Sequence, residues 1–523
     1  MEKKFTITGV CIREKHYMAD TSEKMEQVMK MVNDGEYFNI NRPRQYGKTT
    51  TLSWLMRQLE ASEEYVVFKI SFEGVGDQTH QDEEKFCQMF IHQLARFSRF
   101  VQKDWVDWLM DLKVQVHSLK DLSDAITSIC ERANKKVVVL IDEVDKSSNF
   151  QLFLNFLGTL RTKYLDALDD IDLTFHSVIL AGVHDIKTLK LKIREGSEST
   201  LNSPWNIAAD FNVNMNLLPA EIEPMLAEYA ADKNVKIDIP LFAEKLFYYT
   251  SGYPFLVSKL CKMMDEEVLP KRATKAWTLE DLQKSVRRLI YESNANFDSL
   301  TKNLENYSNL YELTYRVVID NDYIPFVIHD KTINLGVMFG VFAYVRENGL
   351  HIHNRIYLEV ITNYMIMKTL RTTPAIPQNY PNAYTLPNNA LNVTKILTKF
   401  QGFMKEQHSE KDRSFLEREG RLVFLSFLKP IINGGGYAFK EPQISEERRM
   451  DLAITFYNHQ YVIELKVWYG EKAHQKGLLQ LNDYLDKQGL SEGWLVIFDS
   501  SKKKTWKQER LEVEGKQIFV VWV

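Results

Sequence analysis

Cysteine is scarce in this chain. Four occur in 523 residues, Cys11, Cys87, Cys130 and Cys261, far apart and with no C-x-x-C pair. That pattern argues against a zinc knuckle or a disulfide framework and suits a reducing compartment. The twelve histidines form no H-x-x-x-H pair in helical context, so no zinc site is expected. No apolar run approaches the length of a membrane span. Met1-Glu2-Lys3-Lys4 leads into mixed polar sequence rather than a signal-peptide core, and the expected location is the cytoplasm. An excess of one charge is missing too. The net charge is −4, so no global basic field advertises nucleic acid, and any such contact must come from local patches. The length implies about three or four domains, each able to bury its own core.

What is present begins with residues 42–49, Arg-Pro-Arg-Gln-Tyr-Gly-Lys-Thr. Gly47-Lys48-Thr49 is the phosphate-gripping end of a P-loop. A strand-like run, Tyr37-Phe38-Asn39-Ile40-Asn41, enters it, and a helix-like run from Thr50 to Glu60 leaves it. In that context backbone N–H groups wrap phosphates at a helix N-terminus. Lys48 would reach the terminal phosphates and Thr49 would hold Mg²⁺. The expected nucleotide contacts are Pro43, Arg44, Gln45, Tyr46, Gly47, Lys48, Thr49 and Thr50. One position departs from G-x-x-x-x-G-K-[ST]: its first glycine should be residue 42, which is Arg42, with Pro43 stiffening the turn instead. The alternative is a strand-loop-helix corner that merely contains Gly-Lys-Thr.

A second segment supports nucleotide chemistry. Val137-Val138-Val139-Leu140-Ile141 is an unbroken apolar run, mostly β-branched, ending in Asp142-Glu143. Such a run predicts a strand buried on both faces of a parallel sheet. Carboxylates at its C-terminal end sit where open α/β sheets bind ligands. Asp142 would orient the Mg²⁺ shell and Glu143 would polarise the attacking water. The alternative is a core strand ending in a solvated acidic turn. Together the two segments predict ATP or GTP binding.

The chain divides into territories. Residues 1–215 read as α/β. Strands are expected at Tyr65–Phe72 and Val178–Val183, with helical periodicity from Asp82 to Asn134, which implies a doubly wound parallel sheet. His184 and Asp185 would either sense the terminal phosphate or simply end a strand. Residues 216–371 read as mostly helical. Ser251-Gly252-Tyr253-Pro254 marks a turn before a helix from Phe255 to Met264. Val337–Val345 reads as helical, Leu350-His351-Ile352-His353 alternates like a strand, and Asn354-Arg355-Ile356-Tyr357 opens a helix. Helices followed by a short wing suggest a winged-helix module; such modules often touch DNA or serve as dimerisation or lid elements, and the lack of a basic recognition helix favours the structural role. Residues 372–389, with Pro374, Pro377, Pro381 and Pro387, read as a linker.

Residues 390–523 carry a second constellation. Arg449–Phe456 and Tyr461–Val467 read as the strands of a hairpin across Asn458-His459. Glu464 and Lys466, two apart on a strand, share a face, and Asp451 on the neighbouring strand can join them. Two carboxylates would bind Mg²⁺ or Mn²⁺ through oxygen. Lys466 would position or deprotonate a water and offset phosphate charge. Gln480 and Tyr484, four apart on an expected helix, share a face and would address the water or a phosphate. The alternative is a half-exposed strand with a charge ladder. Lys502-Lys503-Lys504 with Trp506 and Lys507 would grip a nucleic-acid backbone or form a solvated turn. Gly434-Gly435-Gly436 would let backbone approach a ligand or connect helix to strand.

Over nearly its whole length the chain resembles bacterial AAA-ATPase-like proteins that carry a C-terminal PD-(D/E)XK nuclease domain. The likeness rests on residues 42–49, Ile141-Asp142-Glu143, Ser203-Pro204-Trp205-Asn206-Ile207-Ala208 and Asn354-Arg355-Ile356-Tyr357. In the C-terminal part it rests on Asn433-Gly434-Gly435-Gly436, Arg449-Met450-Asp451-Leu452, Val462-Ile463-Glu464-Leu465-Lys466 and the Gln480-x-x-x-Tyr484 spacing. The arginine-proline opening of the P-loop is usual in that family. The resemblance implies a P-loop ATPase domain (1–215), a helical and winged-helix lid (216–371), a linker (372–389) and a restriction-endonuclease-like α/β domain (390–523). It implies ATP chemistry at Lys48, Thr49, Asp142 and Glu143, and cleavage at Asp451, Glu464 and Lys466. Its further glutamate would be Glu419, or else Glu417. The implied partners are ATP, Mg²⁺ and nucleic acid, DNA before RNA. A second copy of the chain would supply an arginine, for which Arg194 is the candidate. The rival reading is a nucleotide-switched signalling or assembly protein whose C-terminal domain binds without cutting.

Overall fold

The computed structural model describes residues 2–523 apart from 77, 102, 147–150, 184–204, 273, 321, 344–348, 371–382, 408–412, 433–435, 440–451, 458, 469 and 500–505. The chain packs into two units. One comprises Met1–Glu292 with Leu335–Gly340, the other Ser293–Asn334 with Val341–Val523.

The first unit alternates strands and helices. In chain order these are α1 (Ser22–Asn33), β1 (Phe38–Asn41), α2 (Lys48–Glu60), β2 (Tyr65–Ser71), α3 (Glu83–Val101), α4 (Asp104–Gln115), α5 (Leu119–Ala133), β3 (Lys136–Asp142), α6 (Gln151–Leu168) and β4 (Ser177–Gly182). The strands form a parallel sheet in the order β1-β4-β3-β2. Parallel neighbours need crossovers, and the helices supply them. Local sequence sets the ends: α5 starts at Ser118, whose hydroxyl accepts the Asp121 N–H, and stops at Asn134 in the left-handed conformation. Val137 through Ile141 are all fully buried, the expected strand with both faces covered. Val137, Val139 and Ile141 join Phe68, Ile70, Val178 and Leu180 in one core. A parallel bridge, Phe38↔Ala209, extends the outer edge of β1. There Trp205 packs, fully buried, against Tyr37 with ring centroids 5.8 Å apart. Of the tryptophan-containing motif, Trp205 and Ala208 are therefore core, while Asn206 is exposed. Helices α7 (Pro219–Lys233), α8 (Ile239–Thr250), α9 (Pro254–Met263) and α10 (Leu279–Ile290) complete the unit.

The second unit begins with α11 (Ala295–Asn306), α12 (Ser308–Tyr315), α13 (Lys331–Met338) and α14 (Arg355–Leu370); from Leu335, α13 groups with the first unit. It continues with α15 (Val393–Gln407), α16 (Arg413–Ile432), β5 (Gly436–Phe439), β6 (Leu452–Phe456), β7 (His459–Val467), α17 (Glu471–Gln488), β8 (Glu492–Phe498), β9 (Gln508–Val513) and β10 (Lys516–Trp522). Its sheet runs β5-β6-β7-β8-β10-β9 and is mixed. β5, β6 and β7 form an antiparallel meander, α17 crosses over, and β8 returns parallel to β7.

Asn354 caps α14 by accepting the Tyr357 N–H at 2.8 Å, and the Tyr357 hydroxyl donates to Asn296 Oδ1 at 2.6 Å. The Asn-Arg-Ile-Tyr motif is thus a helix start and a core anchor. The expected wing consists, among described residues, of a single antiparallel bridge, Phe342↔Ile352. Leu350, Ile352 and His353 are buried. The division between units falls after Glu292, inside the 216–371 span, and none falls at the proline-rich segment, most of which lies outside the described residues. Long-range contacts account for this. Glu359 on α14 pairs with Lys429 on α16, and the Arg421 guanidinium donates to the Asp320 carbonyl.

Candidate functional site

The P-loop is built where β1 ends and α2 begins. Gly47 caps α2 with φ +84°, and Gln45 also sits at positive φ, +56°. Glycine adopts this region without penalty, and the turn leaves the first N–H groups of α2 without a side-chain cap. Lys48 Nζ folds back onto the loop, donating to the carbonyls of Arg42 (2.8 Å) and Pro43 (2.9 Å). Burial pushes its ammonium below the usual lysine value, against the pull of Asp145, Glu143 and Asp142. Those three carboxylates lie at the C-terminal end of β3 and in the turn after it. Asp142 is 5% exposed, and its Oδ1 accepts the Glu143 N–H at 3.0 Å. Burial, and next the Asp142 charge, hold the Glu143 carboxyl above the ordinary glutamate range.

The other loop residues divide by role. Arg42, in place of the first P-loop glycine, turns away from Lys48. Its guanidinium donates to the Asn41 carbonyl (2.9 Å) and the Val213 carbonyl (2.9 Å), and lies over the Phe211 ring at 5.1 Å. It braces the segment that follows the β1 edge. Pro43 and Tyr46 are buried. A Cβ on Gly340 would come within 3.0 Å of Pro43, and the Tyr46 ring meets Tyr253 edge-on at 4.6 Å. The Tyr46 hydroxyl donates to Asn216 Oδ1. The Thr50 hydroxyl accepts the Cys11 N–H at 3.2 Å. Arg44 and Gln45 are exposed, and Thr49 is half-buried at the start of α2.

Three groups here were not assigned to this site from sequence. The Tyr253 hydroxyl donates to the Arg44 carbonyl at 2.5 Å, so three consecutive loop carbonyls, 42 to 44, are bonded to side chains. Asn216 accepts from Tyr46 through its side chain and from Lys24 through its carbonyl. Asp145 Oδ2 accepts the Val183 N–H at 2.6 Å. Asp145 stands three residues after Asp142, a signal that was readable; Tyr253 and Asn216 are remote in sequence from the loop. His184, Asp185 and Arg194 lie outside the described residues.

In the second unit Glu464 is 2% exposed on β7, and Lys466 Nζ lies 2.6 Å from its Oε1. Both lie on the face that α17 covers: the lysine stem passes α17 at Gly477, where a Cβ would be 3.5 Å from Lys466 Cγ. Gln480 and Tyr484 follow on that helix and are half-buried; Tyr484 packs on the cluster of Val462, Leu481, Leu485 and Leu495. Asp451 lies outside the described residues; its neighbour Leu452 pairs with Ile463. Glu417 and Glu419 fall on α16. Gly434 and Gly435 lie outside the described residues, and Gly436 begins β5. Lys502–Lys504 are likewise outside, while Lys507 pairs with Glu509 and lies over the Trp522 ring.

The family model of the AAA-like domain matches residues 8–326. Among solved structures the chain is similar to a Walker-type ATPase of Pyrococcus abyssi, at 13% identity and TM-score 0.46, covering 68% of this chain and 99% of that one. It is also similar to the ORC2 protein of Aeropyrum pernix (12%, TM-score 0.36, 66% and 93% covered). A third is RuvB of Thermotoga maritima (13%, TM-score 0.33, 64% and 92% covered). No curated protein matches the chain. Among the described residues no helix is long and apolar enough to cross a membrane.

Proposed function

The chain belongs to the AAA-like domain family, and on that premise we propose that it binds and hydrolyses ATP at the P-loop and cleaves nucleic acid in its second unit. The observation that carries the first half is Lys48, held on its own loop's carbonyls beside Asp142, Glu143 and Asp145 at the end of a parallel sheet. These residues fit Mg²⁺–ATP: an uncapped helix N-terminus, a half-buried ammonium and a buried carboxylate lie together. Lys48 would leave the Arg42 and Pro43 carbonyls for the terminal phosphates. Thr49 and Asp142 would hold the metal, and the Glu143 carboxylate would accept a proton from the attacking water. The metal would neutralise phosphate charge.

For the second half, the support is Glu464 and Lys466 under α17, on a helix-meander-helix-strand frame. Asp451 and Glu464 would hold Mg²⁺ or Mn²⁺. Lys466 would then exchange Glu464 for a phosphate oxygen or a water. Gln480 and Tyr484 would orient that water. ATP binding would gate cleavage. A second reading, a nucleotide-switched assembly protein that binds without cutting, is favoured by one fact: Lys466 is already engaged by Glu464.

A cleavage assay separates them. Labelled single- and double-stranded DNA and RNA would be incubated with Mg²⁺ or Mn²⁺, with and without ATP, using wild type, Lys48→Ala and Glu464→Ala. Cleavage lost in Glu464→Ala and altered in Lys48→Ala supports the gated nuclease. Cleavage identical with and without ATP, and in Lys48→Ala, removes gating. No cleavage with ATP still bound supports the assembly reading.

A further inference from the structure

The turn after β3 holds Glu143 in a backbone conformation that L-residues avoid: its φ is +55°. A non-glycine residue keeps such a conformation only where its surroundings over-determine it. Here the constraints come from both sides. On the N-terminal side the Asp142 carboxylate accepts the Glu143 N–H. On the C-terminal side Val144 is fully buried in the core, and Asp145 Oδ2 accepts the Val183 N–H at 2.6 Å, at the end of β4. The fit at that point is close. A Cβ on Gly182 would lie 2.8 Å from Val144 Cγ2 and 2.9 Å from Asp145 Oδ1, so only glycine lets the turn seat against β4. Gly182 also accepts the Arg42 N–H through its carbonyl at 3.1 Å. One residue at the end of β4 therefore touches both the acidic turn and the base of the P-loop.

We infer that Asp145 is a positioning residue for ATP hydrolysis: by bonding the Val183 N–H it locks the acidic turn to the end of β4 and thereby fixes the Glu143 carboxylate relative to the P-loop. The inference rests on the hydrolytic reading given above. Asp145 itself need touch neither nucleotide nor water. Its bond sets the distance between two elements that the sequence holds about forty residues apart, Asp145 and Val183. Freed from that bond, the turn would relax Glu143 toward an ordinary backbone conformation and move its carboxylate. Misplacement by about 1 Å costs of the order of 10²-fold in rate. Binding would survive, because Lys48 is anchored separately on its own loop, and Tyr253 holds that loop at the Arg44 carbonyl.

The test is steady-state ATP turnover by the full chain, with the ADP dissociation constant and thermal unfolding measured in parallel, for wild type, Asp145→Asn and Asp145→Ala. The amide oxygen of Asn can still accept from Val183, so Asp145→Asn should lose less than Asp145→Ala. Expected for Asp145→Ala is a fall in kcat of about 10²-fold with ADP affinity nearly unchanged. Gly182→Ala, which pushes the same turn from the other side, should reproduce the split. Wild-type turnover with an unaltered kcat in folded Asp145→Ala overturns the inference alone. So does a fall in kcat matched by an equal loss of ADP affinity. A wild type that binds ATP without turning it over overturns the hydrolytic reading, and this inference with it.

Discussion

Arg42 shows what a single residue can hide. It occupies the position where a P-loop ordinarily has its first glycine, yet its backbone serves the loop while its guanidinium holds Val213 and Phe211. Arg42→Gly, which restores the common motif, should therefore lower stability rather than improve nucleotide binding. Hydrogen bonds to a charged group contribute roughly 1.5–3 kcal/mol, and a loss of that order should appear in denaturant unfolding. Glu143 gives a second expectation. Its carboxyl is held above the ordinary glutamate range by burial and by Asp142. As the general base proposed above, Glu143 would work only when deprotonated, so turnover should fall as pH drops through that raised pKa, earlier on the acid side than for a solvated glutamate. A pH–rate profile for kcat checks it; an acid limb at or below about 4.3, the usual glutamate value, would contradict it.

At the scale of elements, the turn between α8 and α9 is the most constrained. Gly252 has φ +73°, and a Cβ there would stand 2.2 Å from the Leu217 carbonyl oxygen, while the Leu217 N–H donates to the Gly252 carbonyl at 2.8 Å. Pro254 then starts α9 with its φ already set. The turn delivers Tyr253 to the Arg44 carbonyl and to the Tyr46 ring. Gly252→Ala combines a left-handed alanine with a backbone clash. It should cost at least about 2 kcal/mol of stability in the first unit and weaken nucleotide binding by displacing Tyr253. Differential scanning calorimetry with and without ADP would read both. The elements themselves were largely legible. The apolar run at Val137–Ile141 and the Gly-Lys-Thr corner are local patterns, and local patterns set strands, turns and helix starts. At the expected wing the described residues show one bridge, Phe342↔Ile352, with Leu350, Ile352 and His353 buried and His351 half-buried.

For the whole molecule, ATP should stabilise by mass action. At about one hundred times its dissociation constant it contributes about 2.7 kcal/mol. If the first unit holds the only ATP site, ATP should raise the unfolding transition of that unit and leave the other where it was, and Lys48→Ala should abolish the rise. A uniform shift of all transitions would instead make the two units one cooperative body. The cut after Glu292 could not be read from composition, since the proline-rich segment is the conspicuous break in the sequence. Pairings such as Glu359 with Lys429 and Tyr357 with Asn296 join residues tens of positions apart, and only folding reveals them.

By itself the sequence determined the AAA-like domain, its P-loop and its acidic strand end, because phosphate and metal chemistry need particular residues at short, fixed spacings. It also picked out Glu464 and Lys466 as two residues of one strand face. The tertiary structure decided the rest: that Arg42 braces rather than binds, that Tyr253 and Asn216 hold the loop, and that Asp145 ties the acidic turn to β4. Those roles depend on which distant backbone groups come within hydrogen-bonding distance, and that is set by packing rather than by order along the chain.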